Sequence, residues 1–69
     1  MKVDLSEYER KIVQKGRLYL YCAGGDGSLQ WTNSKYDAWR NRHAEKARMV
    51  AKKVGGRVRT FNPITGDVY

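Results

Sequence analysis

With a single cysteine, Cys22, the chain cannot close an internal disulfide, and no cluster of His, Cys, Asp and Glu has metal-ligand spacing. Neither a covalent nor a metallic staple is expected to hold the fold. Histidine is equally scarce. His43 alone titrates naturally near neutrality, which leaves little for acid–base chemistry. No run of about eighteen apolar residues exists to cross a membrane, and the opening MKVDLSEYERKIVQK is too charged for the apolar stretch of a signal peptide. These absences predict a cytoplasmic protein of a reducing cytosol, neither exported by that route nor membrane-spanning, with no cofactor. At 69 residues the chain makes one small domain, 1–69. A domain of that size buries only about 60% of the surface its unfolded chain exposes, which disfavours a deep enzyme pocket.

Acidic residues are also few, and their distribution is informative. Residues 35–59 hold nine of the fourteen Lys and Arg but two of the seven acids, so this window accounts for the whole net charge of +7. Outside it the count is five against five. Such segregation implies a surface that presents a positive field to something negative, and nucleic acid is the default partner. Apolar content of 41% with five Tyr, two Trp and one Phe suffices for a thin core.

The first segment reads two ways. Ser6 followed by Glu9 is a capping-box pattern, and Leu5, Tyr8 and Ile12 recur at helical spacing up to Gly16, which predicts a short N-terminal helix of about two turns. The alternative is a strand, because Ile12 and Val13 are β-branched and Lys15 with Gly16 makes a hairpin turn. Residues 17–22 alternate with period two, placing Leu18, Leu20 and Cys22 inward and Arg17, Tyr19 and Tyr21 on the other face. Three glycines in 23–27 then precede residues 28–32, with Leu29 and Trp31 on a common face: a hairpin. The glycine loop lacks the Lys and Ser/Thr of a phosphate-binding P-loop.

From Ser34 the pattern becomes helical. Tyr36, Trp39, His43, Ala47, Val50 and Val54 form an apolar stripe that Ala44 and Ala51 broaden, while Lys35, Arg42, Lys46, Arg48, Lys52 and Lys53 fall opposite. Arg40 breaks the stripe, so a separate first turn is expected, with Asn41 capping a main helix from about Arg42 to Val54. Gly55 and Gly56 end it. Residues 57–61 alternate as a further strand, Asn62, Pro63, Thr65 and Gly66 are turn signals, and the tail 67–69 folds back as a short edge strand. The expected fold is α+β: a three-stranded antiparallel sheet of hairpin, helix and third strand, packed on one amphipathic helix.

If the helix covers Leu18, Leu20, Leu29, Trp31 and Val58, the reverse sheet face displays Arg17, Tyr19, Tyr21, Gln30, Arg57 and Arg59. Rings interleaved with guanidinium groups suit stacking on bases while pairing with phosphates. Arg40, Arg42, Lys46 and Lys53 form the helix-side candidates; its lysines, Lys52 included, offer charge without sequence readout. Each of these sets has a bland reading: a lysine-rich solvated helix face, or a sheet face covered by the N-terminal segment. Cys22 and the two tryptophans read most simply as core residues, Trp39 alternatively as a half-exposed contact beside Arg40 and Arg42. His43, on the apolar side of the helix, reads as packed rather than catalytic, so no enzyme is expected.

The order strand, strand, helix, strand, with the run from Gly16 through Trp31 to Ala47 and Gly56, resembles small phage- and prophage-encoded proteins of unknown function. In outline it is also similar to the arm-site-binding domains of phage and transposon integrases, which lay a three-stranded sheet in the DNA major groove. In those domains all three strands precede the helix, whereas one follows it here. That resemblance implies Arg17, Tyr19 and Tyr21 as readers. The function expected of the chain as a whole is a non-catalytic DNA- or RNA-binding module, monomeric or homodimeric. A phage origin implies the bacterial host cytosol and a different function class, a stoichiometric inhibitor of host machinery such as an anti-CRISPR protein. A chain at +7 cannot imitate DNA, so an inhibitor of this kind engages an acidic patch of a host protein or a protein–nucleic acid complex. Tyr19 with Arg17, or Trp39 with Arg40, are its expected hot spots. A small ribonuclease toxin is a distant third.

Overall fold

The computed structural model describes residues 4–23 and 29–69. A 3-10 turn at Leu5–Tyr8 leads into strand β1 (Arg10–Lys15), which is followed by β2 (Leu18–Ala23), β3 (Leu29–Thr32), a second 3-10 turn at Lys35–Asp37, helix α1 (Ala44–Val54), β4 (Arg57–Asn62) and β5 (Asp67–Val68). The class is α+β, but the sheet has five antiparallel strands in the order β3-β2-β1-β4-β5, not three. Of the two strands added to the expected three, β5 is the foreseen edge strand.

The other is β1, and it corrects the N-terminal helix. Asp4, not Ser6, caps the first turn: its carboxylate accepts from the Ser6 hydroxyl at 2.6 Å and the Ser6 amide at 3.0 Å, and these bonds, the side-chain one first, lower its pKa. The turn ends at Tyr8, and the β-branched pair Ile12 and Val13 then lies at the centre of the sheet, each fully buried on an opposite face. Gly16, at φ 61, takes the first of two turn positions between Lys15 and Leu18. Only glycine sits there without strain, and this is the geometry of a type II′ hairpin.

The hairpin of β2 and β3 forms as expected, although its loop, residues 24–28, lies outside the described residues. One strand-level expectation fails within it. The register shifts between Leu20 and Cys22, so strict alternation stops there and Cys22 is exposed instead of inward. Leu18 and Leu29, at opposite ends of the two strands, are also exposed.

Helix α1 packs on the face carrying Val13, Leu20 and Val58, with Trp31, Trp39, Val50 and Val54 around Ala51. Ala47 and Ala51 are its buried residues, small enough to bring the helix axis close to the sheet. Its N-cap is His43, exposed and without a side-chain cap bond, so the expected start at Arg42 and the apolar placement of His43 are both corrected. Asn41 instead accepts the His43 amide on Oδ1 at 2.7 Å, turning the chain before the helix begins. Gly55, left-handed at φ 76, caps the C-terminus, and the Gly56 amide donates to the Ala51 carbonyl at 2.9 Å.

Gly56 then passes β1 closely. A Cβ there would lie 2.8 Å from Val13 Cγ1 and 3.0 Å from the Gln14 carbonyl oxygen. Gly56→Ala is expected to force β4 away from β1 at a cost of about 1–3 kcal/mol, read as a fall in the thermal midpoint of several degrees. An unchanged midpoint would show that the two strands are not held this tightly.

The unusual feature is the route from β3 to α1. After two paired residues β1 and β2 separate, and residues 39–41 enter the gap: the Trp39 amide donates to the Leu20 carbonyl at 2.8 Å, while Lys11 and Asn41 exchange backbone bonds of 2.7 and 2.9 Å. Ala38 packs with Ile12 and Phe61 on the face opposite α1, and Trp39 with Val13 and Leu20 on the helix face. The chain thereby crosses the sheet, which needs no threading because β1 and β2 are joined only at their turn. Tyr36, expected in the helical stripe, instead lies on the far face, edge-on to Phe61 with centroids 5.4 Å apart.

Candidate nucleic-acid interface

Cross-strand register builds the sheet face away from α1 row by row. Gln14 pairs with Tyr19 on β2 and with Arg57 on β4, so Tyr19, Gln14 and Arg57 stand side by side across three strands. In the next row Arg59 lies opposite the buried Ile12, and beyond it Arg10 lies opposite Phe61. Antiparallel partners share a face, which is why sequence-distant arginines converge here. Gln14, Gly16, Arg57 and Arg59 line one shallow depression. Within it Gln14 Nε2 donates to the Gly16 carbonyl at 3.0 Å, while Gln14 Oε1 is buried with no hydrogen-bond partner among the described residues.

The Phe61 end of this face is closed by Ala38 and Tyr36. The bland expectation of a cover is therefore met in part, by the segment before α1 and not by an N-terminal helix. Arg40, which broke the helical stripe, lies over Phe61 with its Cζ 5.8 Å from the ring centroid. Extended backbone alternates sides, so the residue after Trp39 returns to this face.

At the corner beside it Tyr8, Arg10, Arg40, Asn41, Arg42 and Pro63 line a second depression. Buried Asn62 sets its wall. The Asn62 side chain donates to the Leu5 carbonyl at 3.0 Å and accepts the Ile64 amide at 2.9 Å, tying the first 3-10 turn to the β4–β5 turn that bears Pro63. Arg10 Nη1 donates to the Glu7 and Glu9 carbonyls at 2.9 and 2.8 Å, and Arg40 Nη2 to the Tyr36 carbonyl at 3.5 Å. These are neutral acceptors, so the bonds leave the charge of both groups uncancelled, and the two short ones hold Arg10 in place.

The other expected residues scatter. Arg17 is exposed in the β1–β2 turn beside Gly16, and Tyr21, the unpaired residue of the bulge, and Gln30 just past it are exposed. Lys46 and Lys53 belong to the helix side, where they flank a groove formed by Trp39, Met49 and Val50. Six of the seven arginines, all but Arg48, thus lie on the sheet face, in its turn or at its corner. Tyr8, Arg10, Gln14 and Pro63 had escaped notice as site residues. The first three fell in the segment read as helix, where β1's register with β4 could not be seen.

Among the described residues no three His, Cys, Asp or Glu are grouped to hold a metal ion, and no helix is long and apolar enough to cross a membrane. No family model, curated protein or solved structure matches the chain, so the chemistry of this surface stands on its own geometry.

Proposed function

We propose that this domain is a non-catalytic nucleic-acid-binding module that takes unpaired nucleotides on the sheet face opposite α1. The observation that supports it is the row Tyr19, Gln14 and Arg57 with Arg59 beside it: a half-buried ring packed on the Ile12 and Phe61 core, an amide and two guanidinium groups on one sheet face. Rings stack on bases only when those bases are free of a duplex, and each such contact is worth about 1–3 kcal/mol. Guanidinium forks pair with phosphate oxygens in two-point geometry, which lysine cannot do. The lysines of α1 add a field that speeds encounter.

Fluorescence anisotropy with labelled single-stranded DNA, duplex DNA and structured RNA, at about 50 and 200 mM salt, tests this reading. The expected outcome is tighter binding to single strands or looped RNA than to duplex, weakening with salt but persisting at the higher concentration. Binding to all three alike that vanishes at the higher salt would reduce the charge to a nonspecific polyanion surface.

A second reading, a phage-encoded protein inhibitor acting by protein–protein binding, has one observation in its favour. The groove of Trp39, Met49 and Val50 between Lys46 and Lys53 is apolar with a cationic rim, a form suited to an acidic partner surface. Capture of a host protein whose affinity is insensitive to salt, and is lost on Met49→Glu, would favour it.

A further inference from the structure

We propose that the corner formed by Tyr8, Arg10, Arg40 and Arg42 is a terminal-phosphate site, which captures the phosphomonoester end of a nucleic-acid strand whose following nucleotides run onto the sheet face. The inference rests on the nucleic-acid reading above and specifies what part of the strand this corner takes.

Three arginines line one depression from two segments distant in sequence, β1 and residues 40–42. An internal phosphodiester bears one negative charge and two free oxygens. A terminal phosphomonoester bears a charge of about −1.5 to −2 near neutrality and three acceptor oxygens, which matches three arginines better.

Donor inventory supports the match. Both Nη1 protons of Arg10 are taken by the Glu7 and Glu9 carbonyls, so its Nε and Nη2 edge, the edge that makes two parallel bonds to an oxyanion, remains available. Arg40 spends one Nη2 proton on Tyr36 and keeps its others. Its guanidinium is further held over the Phe61 ring. Arg42 is exposed and supplies a charge that can close over the bound group. The two carbonyl bonds hold Arg10 before any ligand arrives, which lowers the ordering cost of binding. Tyr8 is 40% exposed on the rim, a ring on which the terminal base can stack.

The first depression lies along the same sheet face, past the cover of Ala38 and Tyr36. Arg10, opposite Phe61, and Arg57, opposite Gln14, sit on the same sheet face four residues apart in register. At roughly 3.3 Å per residue this spans about 13 Å, the reach of two or three nucleotides.

The test uses the intact domain and three eight-nucleotide strands of one sequence: 5′-phosphorylated, 3′-phosphorylated and unphosphorylated. One of the two phosphorylated strands is expected to bind at least about ten-fold more tightly than the unphosphorylated strand, and which one it is names the end. Arg42→Ala, at an exposed position, and Arg40→Ala should each remove most of that advantage. Arg57→Ala with Arg59→Ala should weaken all three strands while preserving their ratio. Equal affinity for the three strands would overturn the terminal-phosphate site and leave the nucleic-acid reading standing. A preference that survives both Arg40→Ala and Arg42→Ala would place phosphate recognition elsewhere and overturn the assignment. Failure of all three strands to bind at about 50 mM salt would sink this inference together with the reading beneath it.

Discussion

Phe61→Ala is expected to lower the unfolding free energy by about 3–5 kcal/mol, against a total of roughly 3–10 kcal/mol for a domain of this length. Near the middle of that range the loss takes about half of the stability or more. Phe61 is fully buried, contacts Ile12 and Ala38, and meets the edge of Tyr36, so its ring is the centre of the layer on the arginine face. Removing it leaves a cavity that the sheet cannot close, because β1 and β4 hold their spacing through five paired residues. Urea unfolding followed by tryptophan emission measures the effect, with Leu18→Ala at an exposed strand end as the comparison. Leu18→Ala should change stability by less than about 0.5 kcal/mol. Similar midpoints for both variants would mean that Tyr36 and Ala38 do not form a packed second layer.

The second large effect is on binding. Arg57→Ala combined with Arg59→Ala should lower affinity for a single-stranded oligonucleotide at least ten-fold, since a hydrogen bond to a charged group contributes about 1.5–3 kcal/mol. Lys52→Ala combined with Lys53→Ala removes the same formal charge and should change affinity by less than about three-fold, through the long-range field alone. The salt slope should become shallower by about one to two units in the arginine pair only. Anisotropy titrations at three or more salt concentrations give both numbers. The opposite ranking would move the interface to α1.

The parts of the fold legible in the sequence were the elements whose own period runs unbroken, β4 among them. Leu18 to Thr32 announced a hairpin by alternation, and Ala47, Val50, Ala51 and Val54 announced a helix by period. β1 was misleading for a physical reason. Leu5, Tyr8 and Ile12 recur at helical spacing, but Leu5 and Tyr8 belong to a 3-10 turn and Ile12 to a strand, so a single period spanned two elements. What settles Ile12 and Val13 as strand is the pairing with Arg59 and Val58 some forty-five residues away, which local propensity cannot register. The candidate site suffered in proportion. Arg57 and Arg59 were visible as an alternating pair, whereas Arg10 joins Arg40 and Arg42 only because the chain crosses the sheet beside β1. Cys22 failed for a smaller cause, one shift of register that no residue type at that point announces.

The crossing segment makes the two surfaces of the protein mechanically one. Ala38 and Arg40 belong to one face and Trp39 to the other, on three consecutive residues held by the bond of the Trp39 amide to Leu20 and by the bonds of the next residue, Asn41, to Lys11. If the proposed phosphate site exists, a ligand that draws on Arg40 is expected to press the Trp39 indole against α1, and a partner on the groove of Trp39, Met49 and Val50 to shift Arg40 in return. Linkage requires that coupling to be reciprocal in free energy. Substitutions at Arg40 and Met49, though on opposite sides of the sheet, should consequently fail to add, and tryptophan emission should report on a ligand that never touches either indole.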